Sequence, residues 1–145
     1  MKTFVLDTNV ALRFLLADDP LQSPKAHALF VLAESGAIKL RLSHIAIAEL
    51  AWVLSSFFDF ARQDIGLKLR GLVLHHGVVV DEPDLILNAL DRFARVNADF
   101  PDCYAAALAS QHAQPVATYD RDFRRFADVV AQTPDEILKA SLPRG

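Results

Sequence analysis

The sequence predicts an α/β domain in which a mostly parallel, twisted sheet of four to five strands carries helices on both faces. Short apolar or alternating segments, each suited to one strand, are separated by longer segments with helical periodicity. This alternation continues throughout the chain and is typical of a parallel sheet with helical connections. The 145 residues, of which 52% are apolar, fit a single domain over 1–145 with a substantial core.

Five segments are predicted strands. Phe4-Val5-Leu6 is an unbroken apolar run, which is typical of a strand buried on both faces. Residues 38–42 alternate apolar and basic side chains, as expected of a strand with one solvated face. The remaining predicted strands are 78–80, 115–118 and, near the end of the chain, 129–130.

Helical periodicity fills the intervals between these strands. Ser43 is expected to cap a helix that runs from about His44 to Phe58. Asp99 is expected to open an Ala-rich helix that ends near His112. Further helices are expected to begin near residues 10, 24, 64, 83 and 134, with a short helical turn around Phe123.

Composition and charge exclude several functional classes. The net charge of −3 means that binding to nucleic acid would need local basic patches. Cys103 is the single cysteine, so it has no partner for a disulfide within the chain and fits a reducing compartment. The chain enters a strand without the apolar run of a signal peptide, and no stretch is long enough to span a bilayer. We therefore expect a cytoplasmic protein without membrane contacts.

Two acidic residues directly follow predicted strands. Asp7 comes straight after the first strand, and Asp120 follows the strand that ends at Thr118. Parallel sheets bind their ligands beyond the carboxyl ends of their strands, where both side chains would lie. The alternative for Asp7 is that it caps the next helix. For the short turn around Phe123, the sequence predicts Asp122 as the cap.

Two more acids occupy unusual positions in helices. Glu49 is the only formal charge between His44 and Leu54, in a helix that is apolar almost all round. Because an unpaired buried carboxylate is costly, Glu49 is expected to be paired or bound to a metal, unless a narrow polar strip lets it reach solvent. Asp102 lies in the first turn of the Ala-rich helix, where an interaction with the helix dipole is the alternative explanation.

The predicted topology could bring these four acids to one edge of the sheet. Four neighbouring carboxylates cannot all stay ionised without a cation. A ligand set made only of oxygen atoms suits Mg²⁺ or Mn²⁺. A metal held by carboxylates in this position favours phosphoryl transfer or phosphodiester cleavage.

Four short motifs carry a resemblance to a known family, and they are Leu6-Asp7-Thr8-Asn9, Ala48-Glu49-Leu50, Asp99-Phe100-Pro101-Asp102 and Ala117-Thr118-Tyr119-Asp120-Arg121-Asp122-Phe123. In this order and spacing, the chain resembles the PIN-domain ribonucleases and, within them, the compact VapC-like toxins of bacterial toxin–antitoxin pairs. The resemblance extends from end to end. It implies an endoribonuclease whose catalytic, metal-binding residues are Asp7, Glu49, Asp102 and Asp120, with Mg²⁺ or Mn²⁺ and a metal-activated water.

The resemblance also implies neighbouring residues and partners. Thr8 and Asn9 would support the acids or orient the RNA substrate. Further candidates for this role lie in the same motifs, namely Asp99, Thr118, Arg121 and Asp122. The resemblance further implies that the protein forms a homodimer and is silenced by a cognate antitoxin protein. This chain departs from the family in one respect, because Ile45 and Ala46 stand where a hydroxyl residue often precedes the Glu by one helical turn.

Two other functions and one open interpretation remain. A strand ending in Asp7-Thr8 also fits the nucleophile motif of haloacid-dehalogenase-like phosphatases, although Asn9 replaces their second acid and no downstream Lys is evident. A PIN-like fold that only binds RNA or protein is the third candidate. The aromatic stretch of Trp52, Phe57, Phe58 and Phe60 is expected to pack in the core or, alternatively, to form a dimer or antitoxin groove.

Overall fold

The computed structural model describes residues 1–143, which form five strands, seven α-helices and one 3-10 helix. The strands are β1 (Lys2–Val5), β2 (Ile38–Arg41), β3 (Val78–Val79), β4 (Val116–Ala117) and β5 (Ala131–Gln132). The α-helices are α1 (Thr8–Leu16), α2 (Gln22–Glu34), α3 (His44–Ser56), α4 (Arg62–Val73), α5 (Pro83–Arg95), α6 (Phe100–His112) and α7 (Pro134–Ser141). The 3-10 helix spans Arg121–Arg125. These bounds confirm the predicted alternation of strands and helices.

All the strand pairs in this part of the chain are parallel. β1, β2 and β3 form a sheet in that order, with Phe4 opposite Leu40 and Leu40 opposite Val78. β4 and β5 form a second, two-stranded sheet with Val116 opposite Ala131. The predicted α/β class with a parallel sheet is confirmed, and the five strands are divided between two sheets.

The core lies between the first sheet and the helices. Leu40 of β2 is fully buried, and α3 contributes the buried face Ile47, Leu50 and Leu54. Cys103 is also buried in α6, where it packs as a small core residue. Burial raises the pKa of its thiol to about 11. Within residues 1–143, no helix has the length and apolar character that a membrane crossing requires.

Three expectations about individual segments are wrong. Phe4 and Val5 are exposed, Val5 by 78%, because β1 is an edge strand that pairs only with β2 among the described residues. The last strand lies two residues later than predicted, because the carbonyl of Gln132 accepts the hydrogen bond from the Thr118 amide. Trp52 also does not pack in the core, since the buried face of α3 is on the opposite side of the helix.

Candidate active site

Asp7 and Thr8 begin α1 directly after β1. Asp7 is the N-cap of this helix, and its Oδ2 accepts a 3.3 Å hydrogen bond from the Asn9 amide. The capping interpretation therefore applies to Asp7, but only one of its carboxylate oxygens is used. The side chain is exposed, so the other oxygen is accessible to a ligand.

Thr8 connects this helix start to α3. Its hydroxyl Oγ1 donates a 2.8 Å hydrogen bond to Oε2 of Glu49. The hydroxyl that is missing one turn before Glu49 on its own helix is thus supplied by α1. The hydrogen bond also brings the residue after Asp7 into contact with the second predicted acid.

Glu49 differs from its predicted environment because its side chain is exposed rather than buried. The exposed positions Ile45, Glu49 and Trp52 follow helical spacing and form the outer face of α3. The sequence shows that α3 is apolar almost all round, but the core covers only one of its faces. The narrow solvent-facing strip, which was the alternative, is what the structure contains.

Asp102 lies in surroundings that disfavour its ionised form. It is half-buried in the first turn of α6. Its pKa is raised by burial first, and then by the negative charges of Asp120, Asp99 and Asp122. The carboxylates at the start of α6 and after β4 are therefore close enough to repel one another.

Asp120, rather than Asp122, caps the 3-10 helix. Asp120 is the N-cap of the 3-10 helix, and its Oδ1 accepts a 2.8 Å hydrogen bond from the Asp122 amide. The prediction that Asp122 is the cap is wrong. Asp122 instead forms an ion pair with Arg125 at 3.3 Å, and Thr118 Oγ1 accepts a 2.9 Å hydrogen bond from the Asp120 amide.

Asp99 occupies the N-cap position of α6 without using its side chain as a cap. Its exposed carboxylate lies on the same cavity as Glu49, a space of about 480 Å³ between α3 and the start of α6. Glu49 and Asp99 are the acids that line this cavity. The Thr8–Glu49 hydrogen bond and the cluster of Asp102 with Asp120, Asp99 and Asp122 are therefore two separate groupings of the predicted residues.

Arg62 supports this region and is the residue that the sequence reasoning missed. Its Nη1 donates to the carbonyls of Phe93, Val96 and Ala98 at 3.1, 3.1 and 2.8 Å, and so fixes the connection that leads from α5 to Asp99. A signal was present, because a basic residue in the first turn of a helix opposes the helix dipole. Such a position indicates that the side chain has a partner elsewhere.

Of the basic residues after Asp120, one contacts other parts of the chain and two are exposed without an ion pair among the described residues. Arg125 donates to the carbonyl of Asn97 as well as pairing with Asp122. Arg121 and Arg124 are exposed and form no ion pair within residues 1–143. Arg121, which directly follows Asp120, is therefore available to a phosphate group.

The chemistry of the candidate ligands fits Mg²⁺ or Mn²⁺, but their arrangement does not form a complete coordination shell. All the candidate ligands are carboxylate oxygens. Burial and then the negative charges of Asp120, Asp99 and Asp122 raise the pKa of Asp102, and a cation would offset those charges. Among the described residues, however, no three acidic, His or Cys side chains are close enough together to hold a metal ion. A bound cation would have to draw the two groups of acids closer.

Comparison with family models identifies the family of this chain. The chain has no match among curated proteins. The family model described as PIN domain matches residues 4–129, a range that includes all four predicted acids. PIN domains are typically nucleases that act on nucleic acid and generally use divalent metal ions. The match covers most of the sequence, so the chain belongs to the PIN domain family.

Proposed function

We propose that this protein is an endoribonuclease that depends on Mg²⁺ or Mn²⁺ and acts as the toxin of a toxin–antitoxin pair. The observation that supports the proposal is that segments bearing these acids, although far apart in the chain, meet at two places. Glu49 lies beside the start of α1, and the pKa of Asp102 responds to Asp120. Catalytic nucleases of this chemistry need such a concentration of carboxylates.

The proposed metal ligands and catalytic residues are Asp7, Glu49, Asp102 and Asp120. When bound, Mg²⁺ or Mn²⁺ would activate a water molecule and offset the charge of the phosphodiester. Thr8 would hold the carboxylate of Glu49 in one orientation through its 2.8 Å hydrogen bond. Arg121 and Asn9, both exposed beside an acid, would contact the RNA backbone.

Three further residues would support the proposed metal site. Asp99 and Asp122 raise the pKa of Asp102 and would add to the attraction for a cation without being required as ligands. Thr118 would hold the turn that presents Asp120, through the hydrogen bond that it accepts from the Asp120 amide. The membership in the PIN family favours this function over the haloacid-dehalogenase-like phosphatase.

The test is cleavage of an end-labelled single-stranded RNA by the wild type and by Asp7→Asn, each with Mg²⁺, Mn²⁺ or EDTA. The matched control is Asp135→Asn, which alters an exposed acid in the first turn of α7. We expect cleavage that requires the metal, is lost in Asp7→Asn and persists in Asp135→Asn. Cleavage by Asp7→Asn at the wild-type rate would contradict the proposal. Retained RNA binding without any cleavage by the wild type would favour a non-catalytic RNA-binding role.

The toxin role and the partners need separate tests. Expression of the wild type alone in a bacterial host should arrest growth, whereas Asp7→Asn should not. A homodimer should be visible as twice the chain mass in light scattering. Unimpaired growth during expression of cleavage-active protein would contradict the toxin role while leaving the nuclease intact.

A further inference from the structure

The outer face of α3 places an aromatic ring beside the proposed active site. Trp52 follows Glu49 by three residues, so the two side chains are neighbours on this face. Trp52 is 60% exposed, and its ring lies edge-to-face against Phe57 with the centroids 5.2 Å apart. The contact with Phe57 restrains the indole in a position next to an acid.

Trp52 and Glu49 line the same cavity of about 480 Å³. Asp99, Phe100 and Pro101 form the facing wall, at the start of α6. This volume is within the range of about 300–1,000 Å³ that is typical of small-molecule sites. The lining of the cavity therefore combines the carboxylates of Glu49 and Asp99 with the aromatic ring of Trp52.

The charges around the cavity indicate what it can hold. Among the described residues that line it, only Arg62 is basic, and its Nη1 already donates to three backbone carbonyls while its guanidinium lies over the Phe93 ring at 4.4 Å. Without a bound cation, the carboxylates of Glu49 and Asp99 would repel a phosphate group inside the cavity. The cavity thus favours a neutral, planar group that stacks on the aromatic ring and whose N–H donors can face carboxylate oxygens.

We propose that this cavity binds a nucleobase of single-stranded RNA, stacked on the indole of Trp52, with the adjoining phosphodiester at the acids. This inference rests on the proposed function and adds a base-binding residue to it. Stacking of bases on aromatic side chains is a general mode of single-strand recognition, and it requires the base to be unpaired. Trp52 thereby selects single-stranded substrate and sets the position of the strand relative to the acids.

Trp52 is the only tryptophan in the chain, so tryptophan fluorescence, excited selectively over that of the two tyrosines, reports on this residue alone. The binding experiment titrates the Asp7→Asn chain with a short single-stranded RNA and with an abasic strand of equal length. The same titration, followed by anisotropy of labelled RNA, is repeated with Trp52→Ala and Trp52→Phe added to Asp7→Asn. Leu67→Ala is the matched control, because Leu67 is 69% exposed on α4 and does not line this cavity.

We expect the RNA, but not the abasic strand, to quench the tryptophan fluorescence. Trp52→Ala should weaken RNA binding about 5- to 150-fold, whereas Trp52→Phe and Leu67→Ala should stay within about threefold of the parent. In chains with an intact Asp7, Trp52→Ala should raise KM by a similar factor and change kcat little, because stacking is equal in the ground and transition states.

Several results would overturn the inference. Equal quenching by the abasic strand, or unchanged RNA affinity in Trp52→Ala, would show that no base stacks on Trp52. A fluorescence shift that depends on protein concentration and is insensitive to RNA would assign the surface to a second copy of the chain. If the wild type cleaves, Asp7→Asn does not, and Trp52 fails to respond, only the base site is wrong. If Asp7→Asn cleaves normally, the proposed function itself is wrong.

Discussion

The Thr8 hydroxyl donates a 2.8 Å hydrogen bond to Glu49 Oε2 and so links side chains 41 positions apart in the sequence. The bond joins the first residue of α1 to the second turn of α3. One oxygen of Glu49 is oriented by this donor, and the other is left for a ligand. Such indirect contacts to proposed metal ligands commonly determine how well the ligand is positioned.

Removal of this hydroxyl should impair catalysis without unfolding the protein. Thr8→Val keeps the side-chain shape but leaves Glu49 without its donor, and we expect metal affinity or cleavage rate to fall about 10- to 100-fold. Thr8→Ser retains the hydroxyl and should stay close to the wild type. Cleavage rates over a Mn²⁺ titration test this expectation. Equal rates for Thr8→Val and the wild type would show that the hydrogen bond has no role in activity.

Asparagine and alanine substitutions separate the capping role of Asp120 from its proposed chemistry. Asp120 accepts the Asp122 amide hydrogen bond at the start of the 3-10 helix, and asparagine can do the same. Asp120→Asn should therefore lose cleavage while its free energy of unfolding stays within about 0.5 kcal/mol of the wild type. Asp120→Ala should lose cleavage and about 1 kcal/mol of stability. Urea unfolding and RNA cleavage are measured for both variants. Full activity of Asp120→Asn would show that Asp120 acts only as a helix cap.

Much of the fold was predictable because its signals are local. Ser43 caps α3 as expected, with its Oγ accepting a 3.1 Å hydrogen bond from the Ala46 amide. The α-helices begin within two residues of their predicted positions, since periodicity, prolines and caps all lie within a few residues of each start. The same applies to Asp7 and Asp120, which follow β1 and β4 after one and two intervening residues.

The remaining features depend on contacts between distant segments. Whether Glu49 is buried depends on which face of α3 the other helices cover, and an almost wholly apolar helix does not reveal this. The Thr8 hydroxyl reaches Glu49 only after β1 and β2 pair in register. The exposure of Val5 likewise follows from the position of β1 at a sheet edge, which no local pattern encodes.

Gly77 allows a close approach between the start of β3 and α2. A Cβ atom at residue 77 would lie 2.5 Å from both the carbonyl carbon and the Cβ of Ala33. Ala33 is buried, and the contacting atoms belong to its backbone and its Cβ, so they cannot move aside easily. Gly77→Ala should therefore lower the free energy of unfolding by about 1–3 kcal/mol. Thermal or urea unfolding measures this loss.

Gly71 supplies the matched control in the interior of α4. A Cβ atom there meets nothing within 4 Å. Gly71→Ala should therefore raise stability by about 0.5–1 kcal/mol through helix propensity. If both variants were equally stable, close packing at Gly77 would be excluded.

Asp128 and Arg92 form a bidentate salt bridge, which makes the free energy of unfolding depend on pH. Nη1 and Nη2 of Arg92 donate to Oδ1 and Oδ2 of Asp128 at 2.7 and 2.6 Å. The hydrogen bonds from Arg92 lower the pKa of Asp128 from 3.8 to about 2. The folded state therefore favours the ionised carboxylate, and this contribution is complete above about pH 4 and is lost as the pH falls towards 2.

Asp128→Asn should lower the free energy of unfolding by about 1 kcal/mol at neutral pH, because half of the carboxylate is exposed and the pair is partly screened. The difference from the wild type should shrink between about pH 4 and pH 2. Urea unfolding across this interval is the measurement. Glu34→Gln, at a residue without an ion pair in residues 1–143, should show no such change. A difference that is constant with pH would contradict the role of the carboxylate charge.

The central claim is that the four acids form one metal site, and anomalous scattering from Mn²⁺ in crystals of the wild type and of Asp7→Asn tests it most directly. We predict a manganese peak in the wild type enclosed by the carboxylates of Asp7, Glu49, Asp102 and Asp120, and its weakening or loss in Asp7→Asn. A peak held by other residues, or the same peak in both proteins, would contradict the claim.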